Sequence, residues 1–519
     1  MLKLALASLV APFFLHAASA SVLTYHNDNN RTGWNPAETI LTPANVHSQS
    51  FGKLFSQRVD GFVYAQPLVV SGVGIPGKGI HNVVYVATEH DSVYAFDAGG
   101  NTGQDASPLW HVSFLGAGVT TVPYQDTGCD QIMPEIGITG TPVIDPSSGT
   151  LFVVAMTKET SKGTTAYVHR LHALDITTGK ERADSPVTIQ ATVAGRGDGS
   201  TTITFEPRSY KQRPGLLLVN GVVYAAFSSH CDLGRYHGWL IGYNSHTLAQ
   251  VAVYNDTTDG GAASFWSSGA APAAGFGGHI FLMSGNGTFN SSTGGKSLGD
   301  SFINLDPSQG MKVSDYFTPF NQQALSNGDE DLGSGGPLVL PNGPGSAAHP
   351  LLVIGAGKQG TIYLVDRANM GHFHAGSDNQ IVQSLPHAVG EIFGMPAYFN
   401  NRVYFSGTGD SVKAFSLWNA RLSPSPTSES PFRFGYPGSV PSVSSNGTAN
   451  GIVWALENRG TAVLHAYDAT NLARELYNSD LNRARDIPGY YVKFSAPTIA
   501  NGRVYVGTQN SLVVYGLLQ

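Results

Sequence analysis

Apolar and polar residues alternate over short stretches along most of this chain, which is the pattern of β-strands joined by tight turns. The stretch NVVYVATEHDSVYAFDA, residues 82–98, shows it most clearly. Val84 and Val86 precede the polar residues 88–92, and Val93 follows them. Alternation with a period of two on both sides of a polar bridge predicts a β-hairpin.

The same hairpin occurs eight times, at intervals of 50 to 72 residues. Its first strand carries an aromatic residue in seven copies and Val in one: Tyr85, Phe152, Tyr224, Phe281, Val353, Tyr404, Trp454 and Tyr505. A short strand headed by small residues or Pro precedes most copies, and a fourth strand is clearest at residues 108–114. A repeat of this length with four strands per unit is typical of a β-propeller.

The pattern therefore predicts an all-β fold, an eight-bladed β-propeller of four-stranded antiparallel blades. Seven blades is the alternative, because the copy at Phe281 is the weakest match. The last copy ends at Leu518 without an outer strand, and residues 52–61, ahead of the first blade, can supply one. Closing the ring with this N-terminal strand removes two exposed sheet edges.

Composition agrees with this fold and narrows the range of partners. Charged residues form 13% of the chain, which contains 62 Gly and 29 Pro, so short strands and turns are favoured over long charged helices. A net charge of −7 leaves no basic surface of the kind that nucleic acid requires. We expect a monomer that binds a small-molecule ligand.

The first 20 residues have the pattern of a secretory signal peptide. Lys3 precedes an apolar run over residues 4–15, and small residues lead to a cleavage site after Ala20. The run is too short for a comfortable membrane span. The sequence thus predicts a signal peptide at 1–20, an N-terminal extension at 21–51 and a single propeller domain at 52–519. The expected location is secreted or periplasmic, with no membrane span.

Most of the hairpins end in Asp or Asn at one equivalent position. Six of the eight share this feature: Asp97, Asp175, Asn244, Asp306, Asp366 and Asp468. Each precedes a turn, where such a side chain accepts hydrogen bonds from backbone N–H groups two residues on. We interpret the column as turn caps rather than as a catalytic or metal-binding set.

Three motifs of the first blade, PLVV, NVVYVATEHDSVYAFDAGGNTG and PLWHV, resemble the repeat of the PQQ-repeat β-propellers. This superfamily contains the quinoprotein alcohol dehydrogenases. The stretches PEIGITGTPVID and GAGKQGTIYLVDR are similar to those of secreted, poorly characterised PQQ-repeat propellers. The resemblance covers residues 52–518 and implies PQQ and Ca²⁺ as cofactors, with a cofactor-free protein as the alternative.

Three departures from the quinoproteins bear on the cofactor. Those enzymes have a disulfide between adjacent cysteines, whereas Cys129 and Cys231 are far apart in this sequence. Trp110 alone stands where those enzymes repeat a Trp in most blades. The haem-attachment motif C-x-x-C-H is not present in the sequence.

The loops that precede the inner strands and those inside the hairpins meet at one face of a propeller, where ligands enter. Two Cys-Asp pairs fall in such loops of neighbouring blades, at Cys129 and Cys231. In an exported protein they most simply form a disulfide. A metal site with His230 and His237, or two free thiols, are the alternatives.

The same loops hold the other candidate residues. Asn327, Asp329 and Asp331 alternate as in calcium loops, although a solvated acidic loop explains them as well. The candidates for binding an anionic ligand or cofactor are Arg208, Arg213, Trp266, Lys358, Arg433 and Lys493. The catalytic candidates are Glu135 and the pair His387 and Glu391, four residues apart.

Three functions remain open on the sequence alone. The first is a PQQ- and Ca²⁺-dependent oxidoreductase of alcohols or sugars. The second is a cofactor-free propeller enzyme, such as a cyclase, isomerase or lyase. The third is a non-catalytic scaffold that binds a protein or a glycan through its loop-rich face.

Overall fold

The chain folds into a ring of eight β-sheets, as the repeat predicts. The computed structural model describes residues 20–518, so the predicted signal peptide lies outside the described residues except for Ala20. Each sheet contains four principal antiparallel strands, which confirms the eight-bladed propeller over the seven-bladed alternative. Within residues 20–518, helices are all too short or too polar to cross a membrane.

The first four blades follow one another directly along the chain. Their strands, from the inner to the outer, are Leu68–Ile75, Gly79–Thr88, Ser92–Asp97 and Trp110–Ser113; Val143–Asp145, Thr150–Ser161, Thr164–Asp175 and Val187–Thr188; Leu217–Val219, Val222–Ser229, Trp239–Asn244 and Gln250–Asn255; and Ala273–Ala274, Ile280–Met283, Phe302–Asp306 and Lys312–Phe317.

Blades 5 to 8 complete the ring, and blade 8 takes its outer strand from the start of the propeller. Their strands are Leu338–Val339, Leu352–Ala356, Ile362–Asp366 and Gln383–Leu385; Ala397–Phe399, Arg402–Ser406, Asp410–Trp418 and Ser428–Phe434; Ser442–Asn446, Ala449–Arg459, Thr461–Asp468 and Asn471–Asn478; and Thr498–Ala500, Arg503–Gly507, Ser511–Leu517 and Phe51–Arg58.

Shorter elements decorate the blades. Additional strands are Trp34–Asn35, Val119–Pro123, Glu135–Ile136, Thr192–Ala194, Thr202–Thr204, Tyr210–Lys211 and Arg421–Leu422. The α-helices are Tyr124–Thr127, Gln322–Gly328 and Arg483–Asp486, and the 3₁₀ helices are Gly103–Ala106, Pro207–Ser209, Ser267–Gly269, Phe276–Gly278, Ser291–Thr293, Pro307–Gln309 and Leu332–Ser334.

The ring closes where the sequence predicts. Phe51–Arg58 pairs antiparallel with Ser511–Leu517, with Phe51 opposite Leu517 and Arg58 opposite Ser511. This pairing completes blade 8 and leaves neither chain end as an open sheet edge, so the predicted closure is confirmed.

The hydrophobic core lies between neighbouring blades, because both faces of each sheet are covered. Leu240 of blade 3, for example, lies in one buried cluster with Leu282 of blade 4. Tyr85 of blade 1 donates a hydrogen bond to the carbonyl of Ile176 in blade 2, at 3.0 Å. Trp110 packs against Gly179, which lies in the same turn of blade 2 as Ile176. A Cβ on Gly179 would lie 2.6 Å from the indole ring. Gly179 is thus needed for close packing of the two blades.

The column of Asp and Asn residues caps turns, as predicted. The side chain of Asp175 accepts from the N–H of Thr177 at 2.8 Å, and that of Asp468 accepts from Thr470 at 2.9 Å. The remaining four make the equivalent contact: Asp97 with Gly99, Asn244 with His246, Asp306 with Ser308, and Asp366 with Ala368.

The N-terminal extension crosses the central channel and contacts all eight inner strands. Each contact uses the second residue of the inner strand. The bonded pairs, in blade order, are Val22 with Val69, Leu23 with Ile144, Asn29 with Leu218 and with Ala274, Asn30 with Val339, Thr32 with Tyr398, Gly33 with Val443, and Asn35 with Ile499. Residues 22–35 therefore fill the channel at the level of the inner strands.

Arg31 holds this segment in place from the inside. It is fully buried, and its guanidinium donates to Thr24 Oγ1 at 2.7 Å and to the carbonyls of Tyr25 and Pro272, each at 2.9 Å. Burial lowers the pKa of Arg31 to about 10. The channel is filled at the level of the inner strands, and the loops at one end of the propeller surround a funnel.

Candidate functional site

The funnel lies at the face that the sequence predicts, where the loops before the inner strands meet the loops inside the hairpins. It has a volume of ≈ 210 Å³. Seven of the eight blades contribute to its wall: Gln131, Arg213, Cys231, Asp232, Trp266, Ser268, Asp329, Asp331, Ser334, Lys358, Phe393, Tyr436 and Phe494.

One wall of the funnel carries an ion-pair network centred on Lys358. The Lys358 ammonium lies 2.6 Å from Asp331 Oδ2 and 2.9 Å from Asp329 Oδ1. Asp331 is buried, whereas the side chain of Asp329 is 72% exposed. Burial by itself lowers the pKa of Lys358, but the two carboxylates more than offset this effect, so the net pKa is raised. Burial raises the pKa of Asp331, and the neighbouring Lys358 ammonium opposes this shift without cancelling it.

Asp331 adjoins Trp266 at the bottom of the funnel. Its Oδ1 accepts from the N–H of Asn286 at 2.8 Å. A Cβ on Gly285 would lie 2.6 Å from that oxygen and 3.0 Å from Cδ1 of Trp266. Gly285 is therefore required for the acid and the indole to come together.

Two buried basic side chains, Lys211 and Arg213, lie against aromatic rings at this site. The Lys211 ammonium is buried 4.6 Å from the centre of the Trp266 ring and has no hydrogen-bond partner in the described part of the chain. The Arg213 guanidinium lies 4.5 Å from the Phe494 ring, and its Nη1 also lacks a partner within residues 20–518. Burial lowers the pKa of both groups. Arg213, which lines the funnel, is thus suited to bind an anionic group of a ligand.

A disulfide forms part of the same wall. Cys129 and Cys231 are bonded, with their Cα atoms 5.5 Å apart, which confirms the predicted pair and excludes the metal-site and free-thiol alternatives. Cys231 and Asp232 lie in the funnel with Trp266. The two loops that carry the Cys-Asp pairs are therefore tied together at the mouth of the site.

The funnel brings together five of the predicted ligand and metal residues, Arg213, Trp266, Lys358, Asp329 and Asp331. Asn327 does not join them, because it lies in the helix Gln322–Gly328 and accepts from Gln323. Asp329 ends that helix with a φ of 56°, so the stretch forms a helix end rather than a calcium loop.

The other cationic candidates do not line the funnel. Arg208 donates to the carbonyl of Asp126 and lies over the Tyr167 ring. Arg433 donates to the carbonyl of Gly409 at an exposed position. Lys493 lines a neighbouring groove of ≈ 590 Å³ together with Tyr64, Tyr124 and Tyr491.

None of the three catalytic candidates lines the funnel either. Glu135 is bound by His90 at 3.0 Å and by Thr121 at 2.7 Å. His387 lies 3.1 Å from the carbonyl of Gln359, and Glu391 is exposed while its backbone carbonyl accepts from Thr408. Within residues 20–518 these side chains form no catalytic group together.

Sequence reasoning missed Lys211 and the aromatic pair Phe393 and Phe494. Lys211 precedes Arg213 by two residues in the stretch SYKQRPG, and this alternation could have indicated a second cation directed to the same side. The two Phe residues carry no local signal, since each comes from a different blade.

Two solved structures are similar to this chain over most of its length. One is a quinohemoprotein alcohol dehydrogenase from Comamonas testosteroni, with a TM-score of 0.62 and 15% identity, covering 98% of this chain and 82% of that chain. The other is a quinohemoprotein alcohol dehydrogenase from Pseudomonas putida HK5, with a TM-score of 0.60 and 13% identity, covering 96% and 80%. The fold is that of a quinoprotein-like propeller. At such identities the likeness concerns the fold alone.

No protein-family model matches the chain, and no curated protein matches its sequence. The resemblance to PQQ-repeat propellers, expected from the repeat motifs, is thus confirmed at the level of the fold.

Proposed function

We propose that this protein is an exported quinoprotein-like oxidoreductase, which binds PQQ and Ca²⁺ in the funnel and oxidises a small alcohol or sugar. The observation that carries the proposal is the combination, in one pocket, of a Trp plate and the buried Arg213 guanidinium, whose Nη1 has no partner within residues 20–518. The two similar structures, both alcohol dehydrogenases of the quinohemoprotein class by name, support it.

The residues of the funnel fit a flat, carboxylated quinone. Trp266 offers an aromatic face for stacking, and the disulfide of Cys231 lies in the same pocket. Arg213 Nη1 has no partner within the described residues, and leaving such a donor unpaired costs about 1–3 kcal/mol. A ligand carboxylate would restore that hydrogen bond.

The oxygen donors next to this pocket fit a hard cation such as Ca²⁺. Asp329, Asp331 and the side-chain oxygen of Asn286 would be the ligands, and Asn286 Oδ1 is buried without a partner among residues 20–518. Lys358 already contacts both carboxylates, so it would share them with the ion.

The chain's own residues would then bind and deprotonate the substrate. When bound, the quinone supplies a two-electron acceptor beside the substrate. Asp331 would take the proton of the substrate hydroxyl, because it lines the funnel and its burial raises its pKa, which makes it a stronger base than an exposed carboxylate. Phe393, Tyr436 and Phe494 would limit the access of water to the reacting atoms.

Export is part of the proposal and rests on the signal-peptide pattern of residues 1–20. A propeller with a disulfide at its ligand site suits an oxidising compartment. N-terminal sequencing of the protein from the culture medium or periplasm tests it, and we expect the mature chain to begin at Ser21.

The decisive experiment is a thermal-shift titration with PQQ, with and without Ca²⁺, together with the absorbance spectrum of the purified protein. A ligand at 100 times its Kd stabilises the folded state by about 2.7 kcal/mol. We expect this shift in the wild type and its loss in Trp266→Ala and Arg213→Ala. Arg433→Ala is the matched control, because it removes an exposed cation outside the funnel.

Activity is then measured as the alcohol-dependent reduction of a dye by the PQQ-loaded protein. We expect Asp331→Asn to bind PQQ but to lose turnover. If neither a PQQ shift nor quinone absorbance is found, the quinoprotein proposal is wrong, and a cofactor-free enzyme becomes the better account of the funnel.

A further inference from the structure

The groove beside the funnel is lined by aromatic rings from three blades. It has a volume of ≈ 590 Å³ and is formed by the loops that precede inner strands and by the hairpin loops of blades 7 and 8. Its aromatic residues are Phe62 and Tyr64 ahead of blade 1, Tyr124 ahead of blade 2 and Tyr491 ahead of blade 8. The groove therefore lies on the same face of the propeller as the funnel.

The groove and the funnel adjoin each other. Gln131 lines both cavities. The Phe494 ring in the funnel wall lies 4.5 Å from the Arg213 guanidinium of the funnel and 5.5 Å from the Lys493 ammonium of the groove. A ligand that extends out of the funnel past Gln131 therefore enters the groove.

The size of the groove suits a ligand of several rings. Its volume of ≈ 590 Å³ compares with ≈ 210 Å³ for the funnel. Pockets that enclose a drug-sized molecule measure about 300–1,000 Å³, and the groove lies within this range. Under the proposed function the quinone occupies the funnel, so most of a larger substrate would lie in the groove.

The charges of the groove balance each other. Among the described residues that line it, the charged ones are Asp130 and Lys493. Burial lowers the pKa of Lys493, and the Asp130 carboxylate opposes this shift, so each charge lies in the field of the other. An ionic ligand would meet a like charge as well as an opposite one, whereas a neutral ligand meets no such repulsion.

Two amide side chains of the groove are fixed by the chain itself. Asn458 donates to the carbonyl of Tyr436 at 3.2 Å. Gln509 donates to the carbonyl of Tyr491 at 3.3 Å. Each amide nitrogen carries a second hydrogen, and each amide oxygen can accept two hydrogen bonds. Both side chains can therefore donate to a ligand and accept from it, which matches a hydroxyl group, itself a donor and an acceptor.

We infer that the groove binds a neutral oligosaccharide, whose last unit enters the funnel at Gln131. Sugar rings have apolar C–H faces that pack on aromatic rings, and hydroxyl groups that form hydrogen bonds with amides and with Tyr hydroxyls. An apolar ligand would instead remove the amides from water without replacing their hydrogen bonds. The entry of the last unit into the funnel rests on the proposed function, whereas binding in the groove does not.

The test is isothermal titration calorimetry of the PQQ-free protein with cellotriose, maltotriose and xylotriose as neutral probes. We expect at least one of them to bind with a Kd in the millimolar range or tighter. Trigalacturonic acid is the charged comparison, and tighter binding of this acid would contradict the inference of a neutral ligand.

Three variants show whether binding occurs in the groove. Tyr124→Ala should weaken the affinity roughly fivefold, because it removes an aromatic ring, while Tyr124→Phe should keep most of it. Trp418→Ala is the matched control, since this aromatic side chain is 72% exposed and does not line the groove. The inference is wrong if none of the three neutral probes binds, or if Tyr124→Ala binds them as the wild type does.

Trp266→Ala separates this inference from the proposed function. The substitution removes a funnel residue that does not line the groove, so oligosaccharide binding should persist where PQQ binding is lost. A protein that binds PQQ but no oligosaccharide would keep the proposed function and overturn the inference. A protein that binds an oligosaccharide but no PQQ would support the groove and overturn the proposed function.

Discussion

Removing the Cys129–Cys231 disulfide should lower the stability of the protein by an amount that the loop length determines. The two cysteines are 102 residues apart in sequence. In the chain-entropy model, a crosslink that closes a loop of about 100 residues stabilises the folded state by about 4.7 kcal/mol. With an unfolding entropy of about 2.1 cal/mol/K per residue, a chain of about 500 residues loses roughly 4–5 °C of Tm.

The assay is differential scanning calorimetry of the wild type and of the Cys129→Ala/Cys231→Ala variant, each with and without reductant. We expect the reductant to lower the Tm of the wild type to that of the variant and to leave the variant unchanged. Because Cys231 lies in the funnel wall, we also expect weaker PQQ binding by the variant. Equal Tm values for the oxidised wild type and the variant would refute the reasoning.

Three further predictions concern buried basic residues. Arg31→Met should destabilise the protein by about 3 kcal/mol or more in urea unfolding, because it leaves several buried carbonyls unpaired. The exposed Arg483→Met should have little effect. Equal losses of stability in the two variants would contradict the structural role of residues 22–35. Burial lowers the pKa of His169 to about 4, so the unfolded chain binds its proton first, and stability should fall by about 3 kcal/mol as the pH drops from about 6.5 to about 4. This loss should be smaller in His169→Gln, and an identical pH profile would speak against it. Burial also lowers the pKa of Lys493 to about 8, and its ammonium lies 5.5 Å from the ring of Phe494 in the funnel wall. The affinity for the anionic PQQ should therefore weaken as the pH rises through 8, whereas Lys493→Arg should keep its affinity. A pH-independent Kd in the wild type would contradict this prediction.

The contacts within the candidate site could not be predicted from the sequence. Lys358 was a candidate cation and Asp331 a candidate metal ligand, yet only the folded chain shows that they form one ion pair at 2.6 Å. Conversely, His387 and Glu391 are four residues apart, yet His387 contacts the carbonyl of Gln359 and only the backbone of Glu391 is bonded, to Thr408. Loop residues come from different blades, so their meeting depends on loop paths that local sequence patterns do not encode.

The architecture, by contrast, was readable from the sequence because its signals are local. A period-two pattern needs only adjacent residues to form a hairpin, and each Asp cap bonds a backbone N–H two residues away. Eight repetitions then determine the blade number, and the missing last strand indicates how the ring closes.

The N-terminal extension illustrates the opposite case. Residues 22–35 have no repeat and no regular period, so nothing in their sequence indicates that they contact all eight inner strands. Their backbone groups find partners only after the ring has formed. Blade number, ring closure and turn chemistry thus follow from the sequence by itself. The filled channel and the funnel are decided by the tertiary structure, because they depend on contacts between residues far apart in the chain.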